Sequence, residues 1–228
     1  MEPNTQAAGQ LLLINKPLQW TSFDVVNKLR YKLKIKKIGH AGTLDPLATG
    51  LLIICVGKMT KQIESFMGLE KEYTGVFVLG QTTPSHDLET EVSEPKDISA
   101  VTNELINTVV KSFTGKINQL PPLHSAIKIG GKRAYKFARK DATVELQPRE
   151  VEVKEFEITA LRLPELHFRI VCSKGTYIRS LARDVGEALG VGAYLSQLCR
   201  TRIGEYKLEN ALSIDEVTPT EHADLPQP

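Results

Sequence analysis

Segments patterned as strands and segments patterned as helices alternate irregularly along this chain. Alternating or continuous apolar residues predict strands at 10–15, 51–56, 72–80, 151–163 and 166–173. Helical periodicity and end signals predict helices at 22–33, 58–67, 99–113 and 176–189. Because no regular strand–helix–strand repeat is present, the order favours an α+β fold over a doubly wound parallel one.

Size and composition place the chain among ordinary globular proteins. Its 228 residues suit one large domain or two closely packed subdomains, and 25% charged with 41% hydrophobic residues excludes a disordered or fibrous chain. The cysteines Cys55, Cys172 and Cys199 lie far apart, which supports neither a disulfide framework nor a zinc site. The N-terminus lacks the pattern of a signal peptide, and no apolar run approaches the roughly 20 residues that span a bilayer. We expect a cytoplasmic protein without membrane contact.

Charge is segregated along the sequence although the net charge is only +2. Residues 28–37 and 111–140 are rich in Lys and Arg and contain no acid, whereas acids gather in 87–104 and after Glu205. Such segregation can create one positive face. Each basic run alone is compatible with a solvated helix face, and two of them in one short chain favour a polyanionic partner.

The most unusual segment is Gly39–Gly50, with the sequence Gly-His-Ala-Gly-Thr-Leu-Asp-Pro-Leu-Ala-Thr-Gly. Its glycines and proline predict a tight loop between a basic run and a buried strand. Asp45 is the only acid in it. That residue either stabilises an Asp-Pro turn or presents a carboxylate for chemistry. In the second case a cation from elsewhere is needed to keep it ionised in a partly dry pocket.

Gly39–Gly50 resembles the signature loop of the TruB family of tRNA pseudouridine synthases. Lys71–Tyr73, Gln119–Tyr135 and Cys172–Arg179 resemble further motifs of that family in the same order, over about residues 11–203. The implied fold is α+β, a mixed and largely antiparallel central sheet flanked by helices. The implied organisation is a catalytic domain over 8–210 with an RNA-gripping insertion at about 114–146, then an acidic tail over 211–228 and no PUA domain.

The resemblance implies a reaction. The family flips uridine 55 out of the T-loop of tRNA, breaks its glycosidic bond and rejoins the base through C5 as pseudouridine. Asp45 matches the essential aspartate, which either attacks the nucleoside or abstracts a sugar proton; the sequence does not choose. No metal or other cofactor is implied. We expect a monomer that acts on tRNA without a guide RNA.

Roles for residues outside the loop also follow from the resemblance. Arg179 matches the family arginine, whose permanent charge pairs with Asp45. Tyr73 matches the family tyrosine, which stacks on the uracil and serves in removing the C5 proton. Tyr177 and Leu198 match positions that line the uracil pocket. Without the resemblance, Arg179 would be an ordinary surface arginine, Tyr73 a core tyrosine and Leu198 a core leucine.

Further matches concern the RNA outside the target base. His40 matches a histidine that enters the T-loop and fills the vacated stack, although a lone loop histidine is more often a turn residue. Lys16 is interpreted as a phosphate contact. Lys128, Lys132 and Arg133 in the insertion are expected to contact the RNA backbone, which provides affinity without reading sequence.

Two other functions compete with the enzyme hypothesis. One is a protein that binds tRNA and helps it fold, with catalysis incidental or lost. The presence of Asp45, Tyr73 and Arg179 together argues against lost catalysis. The other is the catalytic subunit of a guide-RNA particle, which the expected lack of a PUA domain disfavours.

Overall fold

The computed structural model describes residues 9–122, 128–129, 132–133 and 146–219. The strands in this part of the chain are β1 (Gln10–Lys16), β2 (Ile38–Ala41), β3 (Ala48–Val56), β4 (Lys71–Leu79), β5 (Gly115–Gln119), β6 (Lys128–Ile129), β7 (Lys132–Arg133), β8 (Arg149–Arg162), β9 (Glu165–Cys172), β10 (Ala193–Ile203) and β11 (Tyr206–Lys207). The α-helices are α1 (Ser22–Leu33), α2 (Ile63–Gly68), α3 (Asn103–Ser112) and α4 (Ile178–Ala188), and short 3-10 helices cover Gly57–Gln62 and Leu208–Asn210.

The chain divides into two compact units. The first comprises residues up to Tyr73 and from Leu198 onward, and the second comprises Thr74–Gln197. The boundaries fall inside β4 and β10, so both strands contribute residues to each unit. The predicted limits of a catalytic domain and an acidic tail stay predictions.

The first unit is built around β3. One edge of β3 pairs antiparallel with all of β1, from Gln10↔Val56 to Lys16↔Gly50. Its other edge is shared: β2 pairs antiparallel with its second half, and β10 pairs parallel with its first half, where Arg200 lies opposite Gly50. This arrangement explains the continuous apolar run of β3, because both of its faces and both of its edges are covered.

Successive side chains of β3 serve two different cores, as the alternation of a strand requires. Leu52, Ile54 and Val56 pack with the buried face of α1, and Leu51, Ile53 and Cys55 pack with Phe66 of α2 and with Ile203 of β10. The predicted apolar side of α1 is confirmed; its members are Val25, Val26, Leu29 and Leu33.

Helix α1 begins at Ser22, and the residue before it is the N-cap. Thr21, not Ser22, is the N-cap: its hydroxyl accepts a hydrogen bond from Asp24 N at 3.0 Å, and the Asp24 carboxylate accepts one from Thr21 N at 2.9 Å. This reciprocal capping box satisfies two amides that the first turn leaves open. The Ser22 hydroxyl is thereby free to bond the loop before β3.

Residues 211–219 pack onto the first unit. Leu212 forms an isolated bridge with Ile14, and Ile214 and Val217 are buried in the core under α1. The Lys32 ammonium donates hydrogen bonds to the carbonyls of Ile214 at 3.0 Å and Asp215 at 2.7 Å. These contacts attach the segment to the outer end of α1.

The second unit contains the strand order β10-β4-β9-β8-β5. β8 pairs antiparallel with both β9 and β5, and its register with β9 shifts between Val153/Glu155 and between Ile158/Ala160. Phe77, Phe156 and Phe168 form an aromatic cluster in which the rings of Phe77 and Phe168 are 4.3 Å apart. The sheet is largely antiparallel, and the predicted α+β class with a mixed, largely antiparallel sheet flanked by helices is confirmed.

Several predicted elements differ in detail. Residues 58–67 form a 3-10 turn followed by the short α2 rather than one helix, and α3 begins at Asn103 because Thr102 caps it by accepting a hydrogen bond from Leu105 N. β2 and β10 were not predicted from the sequence. No helix in the described part of the chain is long and apolar enough to cross a membrane.

Gly50 is required where β3 meets β10. Its φ is +102°, and a Cβ at this position would lie 2.4 Å from the Arg200 carbonyl oxygen, in the backbone of the neighbouring strand. We expect Gly50→Ala to destabilise the protein by about 3 kcal/mol or more, because it adds both a left-handed backbone and a steric clash. Urea unfolding measures the loss.

Gly190→Ala is the matched control. Gly190 also has a positive φ, +77°, but a Cβ there meets no atom within 4 Å. The Gly190→Ala variant should lose only about 1–2 kcal/mol of unfolding free energy. Equal losses for the two variants would contradict the packing argument.

Candidate active site

The loop that carries Asp45 runs from Gly42 to Leu47, between β2 and β3. Its backbone is fixed by α1: Leu44 N donates to the Ser22 hydroxyl at 2.9 Å, and that hydroxyl donates to the Leu44 carbonyl at 3.3 Å. Ala48 N donates to the Asp45 carbonyl at 3.1 Å. The half-buried Asp45 side chain is therefore presented from a backbone with defined hydrogen bonds.

Lys16 supports this loop from β1. Its side chain is fully buried, and its ammonium donates to the carbonyls of Trp20 at 2.6 Å, Pro17 at 2.8 Å and Pro46 at 3.4 Å. The interpretation of Lys16 as a phosphate contact is corrected here. A phosphate contact needs an exposed ammonium, and this one is enclosed by backbone oxygens.

Arg200 supports the loop from β10. It is 1% exposed, its Nε donates to the Leu51 carbonyl at 2.8 Å, and an Nη donates to the Gly42 carbonyl at 3.1 Å. The two carbonyls bracket the Asp45 loop, so one planar guanidinium joins the start of the loop to the strand that follows it. Sequence reasoning did not single out Arg200, because β10 was not predicted.

These cations and Asp45 influence one another. Burial lowers the pKa of Lys16 from its ordinary 10.5 to about 8, the nearby Asp45 carboxylate opposes that shift, and the Arg200 charge adds to it. Within the described part of the chain, the hydrogen bonds of both cations go to backbone carbonyls. Their charges are therefore fixed close to the loop by the fold.

The other predicted residues of the first unit lie on strands. Leu198 is half-buried on β10, where it pairs with Ala48, and its carbonyl accepts from the Thr49 hydroxyl at 3.4 Å. It is thus opposite the first residue after the Asp45 loop. Tyr73 is buried on β4, directly after Glu72, whose carboxylate and carbonyl accept from the Thr201 hydroxyl of β10.

His40 lies on β2 opposite Ile54 and is partly buried. Burial and the charge of Arg200 both lower the pKa of His40 below its ordinary 6.5. At neutral pH the imidazole is therefore uncharged. A neutral planar ring is suited to stack against nucleobases.

In the second unit, Arg179 occupies the first turn of α4, as predicted. Its Nε lies 3.5 Å from the Asp87 carboxylate and an Nη donates to the Ser85 carbonyl at 3.3 Å; both side chains of the ion pair are buried. A buried carboxylate facing a buried guanidinium was not anticipated, because Asp87 belongs to the acid-rich segment 87–104, to which the sequence assigned no role. The sequence carries no local signal that separates Asp87 from its exposed acidic neighbours.

Tyr177 is the residue that caps α4. Its backbone exchanges two hydrogen bonds with the buried Gln119 side chain: Tyr177 N donates to Oε1 at 2.8 Å, and Nε2 donates to the Tyr177 carbonyl at 3.0 Å. Ser180 donates to the Leu120 carbonyl at 2.8 Å. The end of β5 thus fixes the start of α4 and, with it, the positions of Tyr177 and Arg179.

Three predicted residues lie on strands whose side chains fall outside the described residues. Lys128 is on β6, and Lys132 and Arg133 are on β7, which pairs antiparallel with β6. Their expected contacts with the RNA backbone stay predictions, as does the pairing of Arg179 with Asp45. Among the described residues, no cluster of His, Cys, Asp and Glu is arranged to hold a metal ion.

Comparison with known proteins identifies the family. The TruB family pseudouridylate synthase N-terminal domain matches residues 30–178, and the tRNA pseudouridylate synthase B C-terminal domain matches residues 179–224. The chain is 53% identical over 221 residues to tRNA pseudouridine synthase B of Flavobacterium johnsoniae, covering 94% of this chain and 96% of the relative. It is also 53% identical to the protein of that name from Parabacteroides distasonis, covering 92% of each.

A solved structure gives the same result for the fold. The crystal structure of a Cbf5-Nop10-Gar1 complex contains a chain that is 30% identical and superposes with a TM-score of 0.69, over 91% of this chain and 53% of the other. This protein therefore spans about half the length of that chain. The class that the fold and the matched regions define is the pseudouridine synthases, isomerases that form pseudouridine. Within that class, the chain belongs to the TruB family.

The pKa of Lys16 predicts how stability depends on pH. Because the folded-state pKa of about 8 lies below the ordinary 10.5, the unfolded chain binds more protons between these pH values, and stability rises with pH there. Lys16→Met lacks this titration. The unfolding free energy of the wild type minus that of Lys16→Met should rise by up to about 3 kcal/mol from pH 8 to pH 10.5. A flat or falling difference in urea titrations would refute the assignment.

Arg200 is expected to be needed for both stability and activity. Arg200→Met removes the two hydrogen bonds to the Leu51 and Gly42 carbonyls and should cost about 2–3 kcal/mol. Arg200→Lys keeps the charge but cannot span both carbonyls, so we expect kcat to fall about tenfold or more with a smaller change in KM. Pseudouridine formation and urea unfolding measure the two effects.

Arg202→Met is the matched control on the same strand. Arg202 is partly exposed and pairs with Glu70 at 2.8 Å, so its loss should cost about 1 kcal/mol or less and leave kcat near the wild-type value. If Arg202→Met impaired kcat as strongly as Arg200→Lys, the specific support of the Asp45 loop by Arg200 would be wrong.

Proposed function

We propose that this protein converts uridine 55 in the T-loop of tRNA into pseudouridine, with Asp45 as the essential carboxylate. The observation that carries the proposal is the fixed loop. Asp45 is presented between β2 and β3, and the loop backbone is held by hydrogen bonds with the side chains of Ser22, Lys16 and Arg200. The relatives from Flavobacterium johnsoniae and Parabacteroides distasonis carry the name tRNA pseudouridine synthase B, which supports tRNA as the substrate.

A fixed carboxylate is what either chemical route requires. Attack on the nucleoside and removal of a sugar proton both need the Asp45 oxygen close to one face of the ribose, and preorganisation lowers the entropic part of that barrier. The glycosidic bond then breaks, the uracil turns within the pocket, and C5 bonds to the sugar. Tyr73 is the residue that we assign to stacking on the uracil and to removal of the C5 proton.

Arg179 and the pocket residues have supporting roles in this proposal. The permanent charge of Arg179, held by Asp87 in a buried pair, also keeps Asp45 ionised, as the family motif implies. Tyr177 and Leu198 line the uracil pocket. Tyr177 stands at the start of α4, where its amide donates to the Gln119 side chain, and Leu198 stands on β10 opposite Ala48.

Access to uridine 55 requires that the base leave its stack, at a cost of a few kcal/mol. His40 is assigned to fill the vacated position. Its lowered pKa supports this, because the neutral imidazole loses less hydration than the charged form would when it is placed between bases. We further propose that the protein acts as a monomer in the cytoplasm, on tRNA alone, with no cofactor and no guide RNA.

The decisive experiment is tritium release from tRNA labelled at uridine C5, without any guide RNA. The wild type should release tritium, and Asp45→Asn should bind the same tRNA with similar affinity and release none, since the amide can neither attack nor abstract a proton. Sequencing of the modified tRNA identifies position 55.

Asp215→Asn is the matched control, because Asp215 is an exposed acid of the first unit, and it should react like the wild type. Tritium release by Asp45→Asn at the wild-type rate would refute the proposed role of Asp45. If the wild type and Asp45→Asn bound tRNA equally and neither released tritium, a tRNA-folding function would replace the proposal.

A further inference from the structure

The outward face of α1 carries two exposed aromatic residues. Phe23 is 58% exposed and Tyr31 is 86% exposed, although the opposite side of the same helix is a tightly buried core face. Because these rings are exposed, they add little to the apolar area that α1 buries against the core. Such residues commonly mark an interaction surface.

The exposed side chains form an ordered row. Helical periodicity places Phe23, Asn27, Arg30 and Tyr31 along one side of α1. The Arg30 guanidinium lies 5.9 Å from the centre of the Phe23 ring and donates to the Asn27 side-chain oxygen at 2.6 Å. Ring, amide and guanidinium are therefore already arranged side by side. We call the surface of Phe23, Asn27, Lys28, Arg30, Tyr31 and Lys34 the α1 face.

The charge of the α1 face selects its partner. Lys28 and Lys34 are exposed beside the row, and residues 28–37 contain no acid. The acid of the first turn, Asp24, is engaged in the capping box with Thr21, and these hydrogen bonds lower its pKa. Aromatic rings among unneutralised cations match single-stranded nucleic acid, in which bases stack on rings and phosphates meet Lys and Arg.

The α1 face begins beside the Asp45 loop. Ser22, next to Phe23, bonds both backbone atoms of Leu44, the residue before Asp45. From there the helix extends 12 residues, or about 18 Å, and its far end is tied down by Lys32. The α1 face therefore starts one residue from the contact that fixes the Asp45 loop.

We propose that the α1 face binds unpaired nucleotides of the substrate RNA next to the target uridine. Phe23 and Tyr31 stack on bases, and Lys28, Arg30 and Lys34 contact phosphates. This interaction rests on the proposed function for its substrate and extends it to a surface outside the catalytic loop. It supplies affinity, and it takes no part in bond-making.

The test compares RNA affinity with turnover. Dissociation constants for tRNA are measured in the Asp45→Asn background, where no product forms, and kcat and KM are measured with Asp45 present. Phe23→Ala and Tyr31→Ala together should weaken binding about tenfold or more, the effect typical of losing stacking aromatics, while kcat at saturating tRNA stays unchanged. Phe23→Tyr with Tyr31→Phe keeps both rings and should retain wild-type affinity.

The phosphate contacts are tested separately, by the salt dependence of tRNA affinity. Arg30→Ala with Lys34→Ala should reduce the slope of log affinity against log salt by about one for each phosphate that the variant no longer binds. Leu163→Ala is the control for an exposed apolar residue and Lys96→Ala for an exposed lysine, and both should bind tRNA like the wild type. All substituted side chains are at least partly exposed, and Ala favours helix at the three substituted positions within α1, so unchanged circular dichroism is expected.

The experiments distinguish a failure of the α1 face from a failure of the proposed function. Unchanged affinity of Phe23→Ala/Tyr31→Ala, or an equal loss in the Leu163→Ala control, overturns the α1 face while uridine isomerisation by the wild type stands. A wild type that binds tRNA through these residues but forms no pseudouridine overturns the proposed function and leaves the α1 face in place.

Discussion

Two buried cations that end on backbone carbonyls hold the candidate site together. Lys16 reaches Pro46 from β1, and Arg200 reaches Gly42 and Leu51 from β10. A buried ammonium or guanidinium is costly unless it is hydrogen-bonded, so the loop geometry that satisfies these donors is strongly favoured over alternatives. The same bonds that make the cations tolerable therefore fix the position of Asp45.

The parallel pairing of β3 with β10 makes this arrangement possible. At Gly50 the two backbones approach so closely that a side chain would overlap the Arg200 carbonyl, and the positive φ turns the strand out of the loop. Around it, α1 contributes the Ser22 hydroxyl to the loop at one end and is tied to residues 214–215 at the other. Core packing, loop geometry and the exposed α1 face thus share one helix.

The sequence predicted those elements whose signals are local and missed those that depend on contacts between residues far apart in the chain. α1, β1, β4 and the β8–β9 pair were predicted closely because their signals are local: apolar periodicity, caps and turns. β10 was missed, since Ser196, Gln197 and Arg200 interrupt its apolar pattern. Arg200 instead faces the carbonyls of Gly42 in the Asp45 loop and of Leu51 in β3, so a buried position of this strand is charged rather than apolar.

The sequence by itself determined the α+β class, the family motifs and the presence of one acid, Asp45, in a glycine-rich loop. Only the tertiary structure decided which partners the buried charges meet. Arg200 meets the Gly42 carbonyl across 158 residues of chain, Arg179 meets the Ser85 carbonyl across 94, and Lys16 is buried rather than available to phosphate. The reason is physical: burial and the partners of a charged side chain depend on distant segments, which no local pattern encodes.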